Sequence, residues 1–247
     1  MTTILDTVAP IDISRATLTL TDAQSRTQLV VGTPYSTPRV WNQYVEGAYA
    51  SYRARGVEAA FEYEEVRDGA GTMMFCAVLD EFGSVVGGLR VQGPYGDVHE
   101  SHAISEWGTG PGRAELMSAI DARLSDGLIE VKAAFVDSAT PEAGAVAGLL
   151  ARTPLVLLTL SNARYMMATA ADYVLARWES GGGRVDHGVP ATPYPDDRYQ
   201  TRVMFWDWYT LAEFAQPEVW AQMHTEYDTL RRSHALGIGA AGAQVVA

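Results

Sequence analysis

Few side chains in this chain could do chemistry, and the most suggestive of them stand in apolar surroundings. Glu130 lies between Ile129 and Val131 in the run Leu128 to Val136. A carboxylate drawn into an apolar strand has its pKa pushed towards the range in which it can accept a proton at neutral pH. Lys132 is its neighbour on the same strand face, so a plain ion pair is the alternative. Arg90 ends Gly87-Gly88-Leu89-Arg90. A guanidinium can grip a carboxylate through two parallel hydrogen bonds, or pair with one of the chain's many acids. His99-Glu100-Ser101-His102 offers two metal ligands or an acid/base pair, with His102 the candidate for substrate contact. No third ligand cluster accompanies them, so metal binding is not expected, and a solvated loop is the simpler reading. Gly108-Thr109-Gly110-Pro111-Gly112 precedes a helical pattern and can cradle an anion. It lacks the Lys-Ser/Thr ending of a nucleotide-binding loop and reads as a turn. Cys76, inside an apolar strand, is expected to be buried and inert. The aromatics Phe205 to Tyr209 suit an apolar ligand pocket or a core equally.

The elements that must position these residues follow from pattern and punctuation. Thr37-Pro38 opens a helix over 38–54, which Gly56 ends. Two β-prone stretches, Ala16 to Leu20 and Thr27 to Val31, precede it. Residues 57–72 are acidic and loop-like. Met73 to Leu79 and Ser84 to Val91 flank Asp80-Glu81-Phe82-Gly83, the clearest hairpin in the chain. Ser101 to Trp107 reads as a short strand. Arg113 to Leu124 has helical spacing, and Leu128 to Val136 is a strand. Helices open at Thr140-Pro141 and again at Thr153-Pro154. Tyr165 to Thr169 is a strand, Asp172 to Ser180 a helix, Arg184 to Val189 and Thr201 to Trp208 strands, and residues 210–215 and 217–234 helices. Hairpins interleaved with strand–helix–strand units describe an α/β protein, more strictly α+β, with a mixed sheet flanked by helices.

Composition narrows the function classes. The chain has 247 residues and a net charge of −12, which suits one core but not the basic surface that nucleic acid requires. An acidic partner such as a carrier protein is disfavoured unless arginines cluster in space. The single cysteine excludes an internal disulfide. MTTILDTVAPID has no positively charged start, so no signal peptide is expected. No uninterrupted apolar run reaches the roughly 18 residues of a membrane span. Cytoplasmic residence is the resulting expectation.

The order of motifs from residue 73 to residue 208 resembles the GNAT acyltransferase superfamily. FCAVLDEFGSVVGGLRVQGP is similar to its central hairpin, and IEVKAAFVD to its fourth strand. ARYMMATAADYVLARWESGGGRVD is similar to the strand–helix–strand that follows, and PYPDDRYQTRVMFWD to the final hairpin. The long first half and the Gly87 to Arg90 motif are most similar to N-acyl amino acid synthases and acyl-homoserine-lactone synthases. The resemblance implies a GNAT-like domain over residues 37–208. An N-terminal arm and strands (1–36), C-terminal helices packed on the domain (209–236) and a flexible Gly/Ala-rich tail (237–247) would surround it. It implies acyl transfer from acyl-coenzyme A, or from the acyl-phosphopantetheine of an acyl-carrier protein, to a small-molecule amine. Glu130 would be the general base, Phe135, Val136 and Gly144 would lie against the donor, and Arg90, His102 and Trp178 against substrate. Two departures stand out. SATPEAGAVAGLL has glycines but no basic residue, and Glu142 sits where a phosphate would meet a helix start. Trp178 falls where many members have a tyrosine that protonates the leaving thiolate. A non-catalytic GNAT-like module binding an acyl or other small ligand is therefore the alternative. An α/β-hydrolase-like enzyme is disfavoured by the lack of a G-x-S-x-G elbow.

Overall fold

The computed structural model describes Ile13, residues 17–22 and residues 25–243, with side chains as far as Arg232. Of the expected arm and tail, residues 1–12, 14–16 and 244–247 lie outside the described residues. The strands are β1 (Leu18–Asp22), β2 (Thr27–Gly32), β3 (Met74–Leu79), β4 (Val85–Gln92), β5 (Leu128–Val136), β6 (Tyr165–Ala171), β7 (Arg184–Val185) and β8 (Thr201–Asp207). The helices are α1 (Pro38–Ala54), α2 (Tyr63–Val66), α3 (Ala103–Trp107), α4 (Arg113–Leu124), α5 (Ala143–Ala151), α6 (Pro154–Ser161), α7 (Leu175–Ser180), α8 (Leu211–Phe214) and α9 (Pro217–Ala243).

The strands form one mixed sheet in the order β1-β2-β3-β4-β5-β6-β8-β7. Only β5 and β6 run parallel. The expected hairpin is present, with Asp80 Oδ1 accepting from the N–H groups of Phe82 and Ser84 at 2.9 and 2.8 Å. Gly83 supplies the left-handed residue of the turn at φ +78°. On α1 the buried residues Trp41, Tyr44, Val45 and Ala48 follow the 3.6-residue period.

The two-residue period of the strands sorts the core onto two faces. Cys76, Leu89, Ile129, Val131, Met166 and Trp206 meet α5, α6 and α9 on one face. On the other, Phe75, Ala77 and Phe135 pack under α1. Farther along that same face, Leu128, Met167, Val203 and Phe205 pack under α3 and α4. Consecutive glycines let both layers come close to β4. A Cβ on Gly87 would sit 2.6 Å from Val146 of α5, and one on Gly88 would sit 2.6 Å from the Cys76 carbonyl oxygen and 2.7 Å from the Tyr44 ring. Ala143–Ser161 is apolar and long enough to cross a membrane by length and composition. It is broken at Thr153-Pro154 into α5 and α6, and just over half of it is buried in the fold.

Four segments differ from the sequence reading. Residues 57–72, read as loop-like, hold a 3₁₀ turn at Glu58–Phe61 and α2. Ser101 to Trp107 is helical from Ala103, because Ala103, Ile104 and Trp107 face one cluster at helical spacing. Asp172 to Val174 forms a 3₁₀ turn before α7, so the expected single helix is split. Arg184 to Val189 pairs only over its first two residues, after which Asp186 Oδ1 accepts from the Gly188 N–H and turns the chain.

Gly88→Ala is expected to cost roughly 1–3 kcal/mol in urea denaturation, since backbone as well as a ring must yield. Gly144→Ala, whose added methyl meets open space, is expected to be neutral or to gain up to about 1 kcal/mol.

Candidate functional site

A charged layer lies between the two apolar clusters of the α1/α3/α4 face. Arg90, Glu130 and Lys132 share that face by strand parity, and all are largely buried. Glu130 is fully enclosed. Its Oε2 accepts from the Tyr95 hydroxyl at 2.8 Å, the Ser101 hydroxyl at 3.0 Å and the His102 backbone N–H at 3.1 Å. Its Oε1 lies 3.8 Å from the Lys132 ammonium. Lys132 binds the buried Glu106 of α3 more closely. Burial alone would lower the Lys132 pKa, but the carboxylates of Glu106 and Glu130 outweigh it and hold the lysine protonated. Arg90 is buried without a carboxylate partner among the described residues. Among the described residues its guanidinium has one hydrogen bond, to Thr72 Oγ1 at 3.4 Å, and its Nε has none.

His102 is the last residue before α3. Its Nδ1 stands 3.3 Å from Glu62 Oε2 and its Nε2 3.5 Å from the Tyr194 hydroxyl. Burial and then the nearby Lys132 charge lower its pKa to about 4, despite Glu106. Glu62, by contrast, is raised by burial and by Glu65. Its backbone is left-handed at φ +53°, a conformation that costs a non-glycine residue about 1 kcal/mol or more and often marks a functional site.

A cavity of about 480 Å³ passes through the sheet beside this layer. It opens because β5 and β6 are hydrogen-bonded only as far as Val131 and Ala168, while β5 runs on to Val136 and β6 to Ala171. The ladder between β4 and β5 holds Arg90 opposite Lys132 and Gly88 opposite Phe135, so β5 carries one extra residue there. Ala133 absorbs the irregularity at φ +50°, and its carbonyl accepts from the buried Tyr44 hydroxyl at 3.0 Å. The inner edges of residues 132–136 and 169–171 thus face the cavity without ladder bonds between them. Leu150, Val174, Arg177 and Trp178 line its α5/α7 end, and Tyr52, Phe61, Glu62, His102 and Glu106 its opposite end. A second, polar cavity of about 680 Å³ adjoins it and shares Glu62, Arg90 and His102 with it.

Of the residues expected at the site, Phe135, Val136, Arg90, His102 and Trp178 line the through-sheet cavity. Glu130 and Gly144 do not. Glu130 lies behind the wall with one oxygen already holding three donors, which corrects the expectation of a base facing substrate. Gly144 points to open space on the first turn of α5. Trp178 stacks edge-on against Trp206 at 6.1 Å while still touching the cavity. Tyr173, within the 3₁₀ turn before α7, lines the same cavity. Residues 205–209 form none of its wall. Glu62, Glu106 and Tyr194 were not singled out from the sequence. The spacing of His102 and Glu106 fits a shared helix face, whereas nothing local marks Tyr194.

No protein-family model matches the sequence. A Mycobacterium tuberculosis protein described as uncharacterised is 39% identical over 213 residues, covering 86% of this chain and 80% of its own. One from Mycobacterium bovis matches to the same extent. The chain belongs to this family. Its fold is GNAT-like, of the kind found in acyl-homoserine-lactone synthases. LasI, such a synthase, superposes with a TM-score of 0.52 at 11% identity, covering 78% of this chain and 98% of its own. BjaI, a coenzyme-A-dependent acyl-homoserine-lactone synthase solved with SAM and isopentyl-CoA, gives 0.52 at 14% identity over 86% and 90%.

Two outcomes follow for this family member. Glu130→Gln removes the charge from a buried acceptor of three hydrogen bonds, and is expected to cost about 1–3 kcal/mol in urea denaturation. His102 binds fewer protons folded than unfolded between its lowered pKa of about 4 and its ordinary 6.5. Its contribution to stability is therefore complete above pH 6.5 and lost towards pH 4, by about 3 kcal/mol. Subtracting the stability–pH profile of His102→Gln isolates that loss.

Proposed function

We propose that the chain transfers an acyl group from a pantetheine thioester to a small-molecule amine. The observation that carries this reading is the parting of the parallel strands β5 and β6 over a cavity that runs through the sheet. An extended pantetheine can lie along the freed edge of residues 132–136 as a strand would, placing its thioester carbonyl against main-chain N–H groups that stabilise the developing oxyanion. The donor enters at the α5/α7 end, where Leu150, Val174 and Trp178 offer apolar surface. The amine enters from the polar cavity on the other face. Arg90, buried and free of any carboxylate among the described residues, suits an acceptor that carries a carboxylate. Glu130 serves as the fixed anchor of the segment that carries His102.

The donor can be acyl-coenzyme A or an acyl-carrier protein. Glu142 occupies the residue before α5, without a side-chain capping bond, where a carboxylate competes with phosphate. Arg177 of α7 faces the cavity and reaches over Gly148 of α5, bringing positive charge to that side from another element. The same two features, with Trp178 in place of a tyrosine, favour the second reading, a binding module without turnover.

Mass detection of free thiol decides between them. A panel of acyl-coenzyme A and acyl-carrier donors is expected to release thiol only when pooled amines are present. Donor binding in thermal-shift assays with no thiol release from any donor would support the binding module. Arg90→Lys is expected to raise KM for carboxylate-bearing acceptors roughly 10- to 100-fold with little change in kcat, the signature of lost uniform binding.

A further inference from the structure

Acyl transfer to an amine creates a proton problem that the site must solve. The nitrogen sheds a proton as the C–N bond forms, and the sulfur needs one as the C–S bond breaks. These two atoms approach from opposite faces of the sheet. Trp178 is no acid, Lys132 is committed to Glu106, and Glu130 lies behind the cavity wall. Tyr173 and Tyr199 pair with each other at 6.4 Å, Tyr173 largely in solvent.

We propose that Glu62, His102 and Tyr194 form a proton relay that returns the proton of the attacking amine to the leaving sulfur. It rests on the acyl-transfer reading above. His102 lines both cavities, whereas Tyr194 lines only the one that passes through the sheet. The pair therefore spans the route from acceptor to donor. Orientation follows from the partners. The Glu62 carboxylate, 3.3 Å from Nδ1, is an acceptor, so Nδ1 carries the imidazole proton. Nε2 is left with its lone pair, and the Tyr194 hydroxyl 3.5 Å away donates to it. Glu106 Oε1, 3.9 Å from Nε2, is held by Lys132 and does not compete. Catalytic hydrogen bonds of this length tighten when substrate excludes water. The charged groups around the ring are Glu62, Glu106, Lys132 and Arg90, on four separate segments of the chain. The lowered pKa of His102 keeps it neutral in the resting site.

The steps balance. The amine nitrogen attacks the thioester carbonyl, and its proton passes to His102 Nε2. As the tetrahedral adduct collapses, the C–S bond breaks and the Tyr194 hydroxyl gives its proton to the sulfur. The imidazolium then returns a proton to the tyrosinate. The products are amide and free thiol, with Glu62, His102 and Tyr194 restored.

Leaving-group dependence tests the relay. The donors are octanoyl-coenzyme A and the octanoyl thioester of 4-nitrothiophenol, whose thiolate leaves without protonation, with pooled L-amino acids as acceptor. Tyr194→Phe is expected to lose about 10²-fold in kcat with the coenzyme A thioester, and less than about threefold with the aryl thioester. Equal losses on both donors, or none on either, would overturn the relay, because a merely structural tyrosine does not distinguish leaving groups. A second measurement needs neither substrate nor variant. Imidazole ¹⁵N spectra of the native chain at pH 7 are expected to show His102 neutral with its proton on Nδ1, and a proton on Nε2 or on both nitrogens overturns the relay. If the native chain turns over neither donor, the acyl-transfer reading itself fails and the relay with it, an outcome distinct from a wrong tautomer.

Discussion

Everything at the site depends on one hydrogen-bond ladder that stops early. Strands β5 and β6 pair for four residues and then diverge. A parallel pair carries few ladder bonds per residue to spare, so the parting must be held open from both sides. On one side β6 is tied by its antiparallel ladder to β8 as far as Ala171. On the other, the extra residue in β5 is taken up at Ala133, fixed by the Tyr44 hydroxyl, and accommodated by glycines on β4. The opening is thus a built feature of the sheet, with backbone polar groups left on its rim where solvent or ligand can satisfy them.

The charged layer beneath the opening obeys a different constraint. Two carboxylates, an ammonium and a guanidinium lie inside the fold, and burial of that much charge costs several kcal/mol per ion unless hydrogen bonds and opposite charge offset it. Glu130 meets the condition with three donors, and Lys132 meets it with Glu106. Arg90 does not, its guanidinium having among the described residues a single long contact, to Thr72. A buried cation so poorly satisfied is a cost to the fold, and natural sequences retain such costs where a ligand offsets them.

Legibility followed the range of the interactions. The hairpin at residues 73–91 and the helices over 38–54 and 113–124 are written in local signals: a turn with Asp and Gly, a Thr-Pro start, an apolar stripe. Motif and family-like order point to Phe135 and Val136 for donor contact and to Arg90, His102 and Trp178 for substrate contact, and all five line the cavity. Glu130 was visible as an anomaly, yet its surroundings were not, because its three donors come from residues 28 to 35 positions away. Tyr194 sits among prolines in an irregular connection and meets His102 across 92 positions. No local pattern encodes such a meeting. The five-residue helix α3 was misread as a strand because one turn of apolar residues fits either period.

The strand order has a consequence for how the chain is made. From β1 to β6 each strand lies beside its predecessor in sequence, and only β7 and β8 exchange places at the far edge. A ribosome delivers the chain from its N-terminus, so each of the first six strands emerges after the partner it lies beside, with short turns closing β1–β2 and β3–β4 and helices spanning the other steps. The parting of β5 and β6 arises in that same order. Its far wall, which includes Tyr194 and Thr201, is made after all six of those strands. A nascent chain of this family therefore has six adjacent strands before it has a closed cavity.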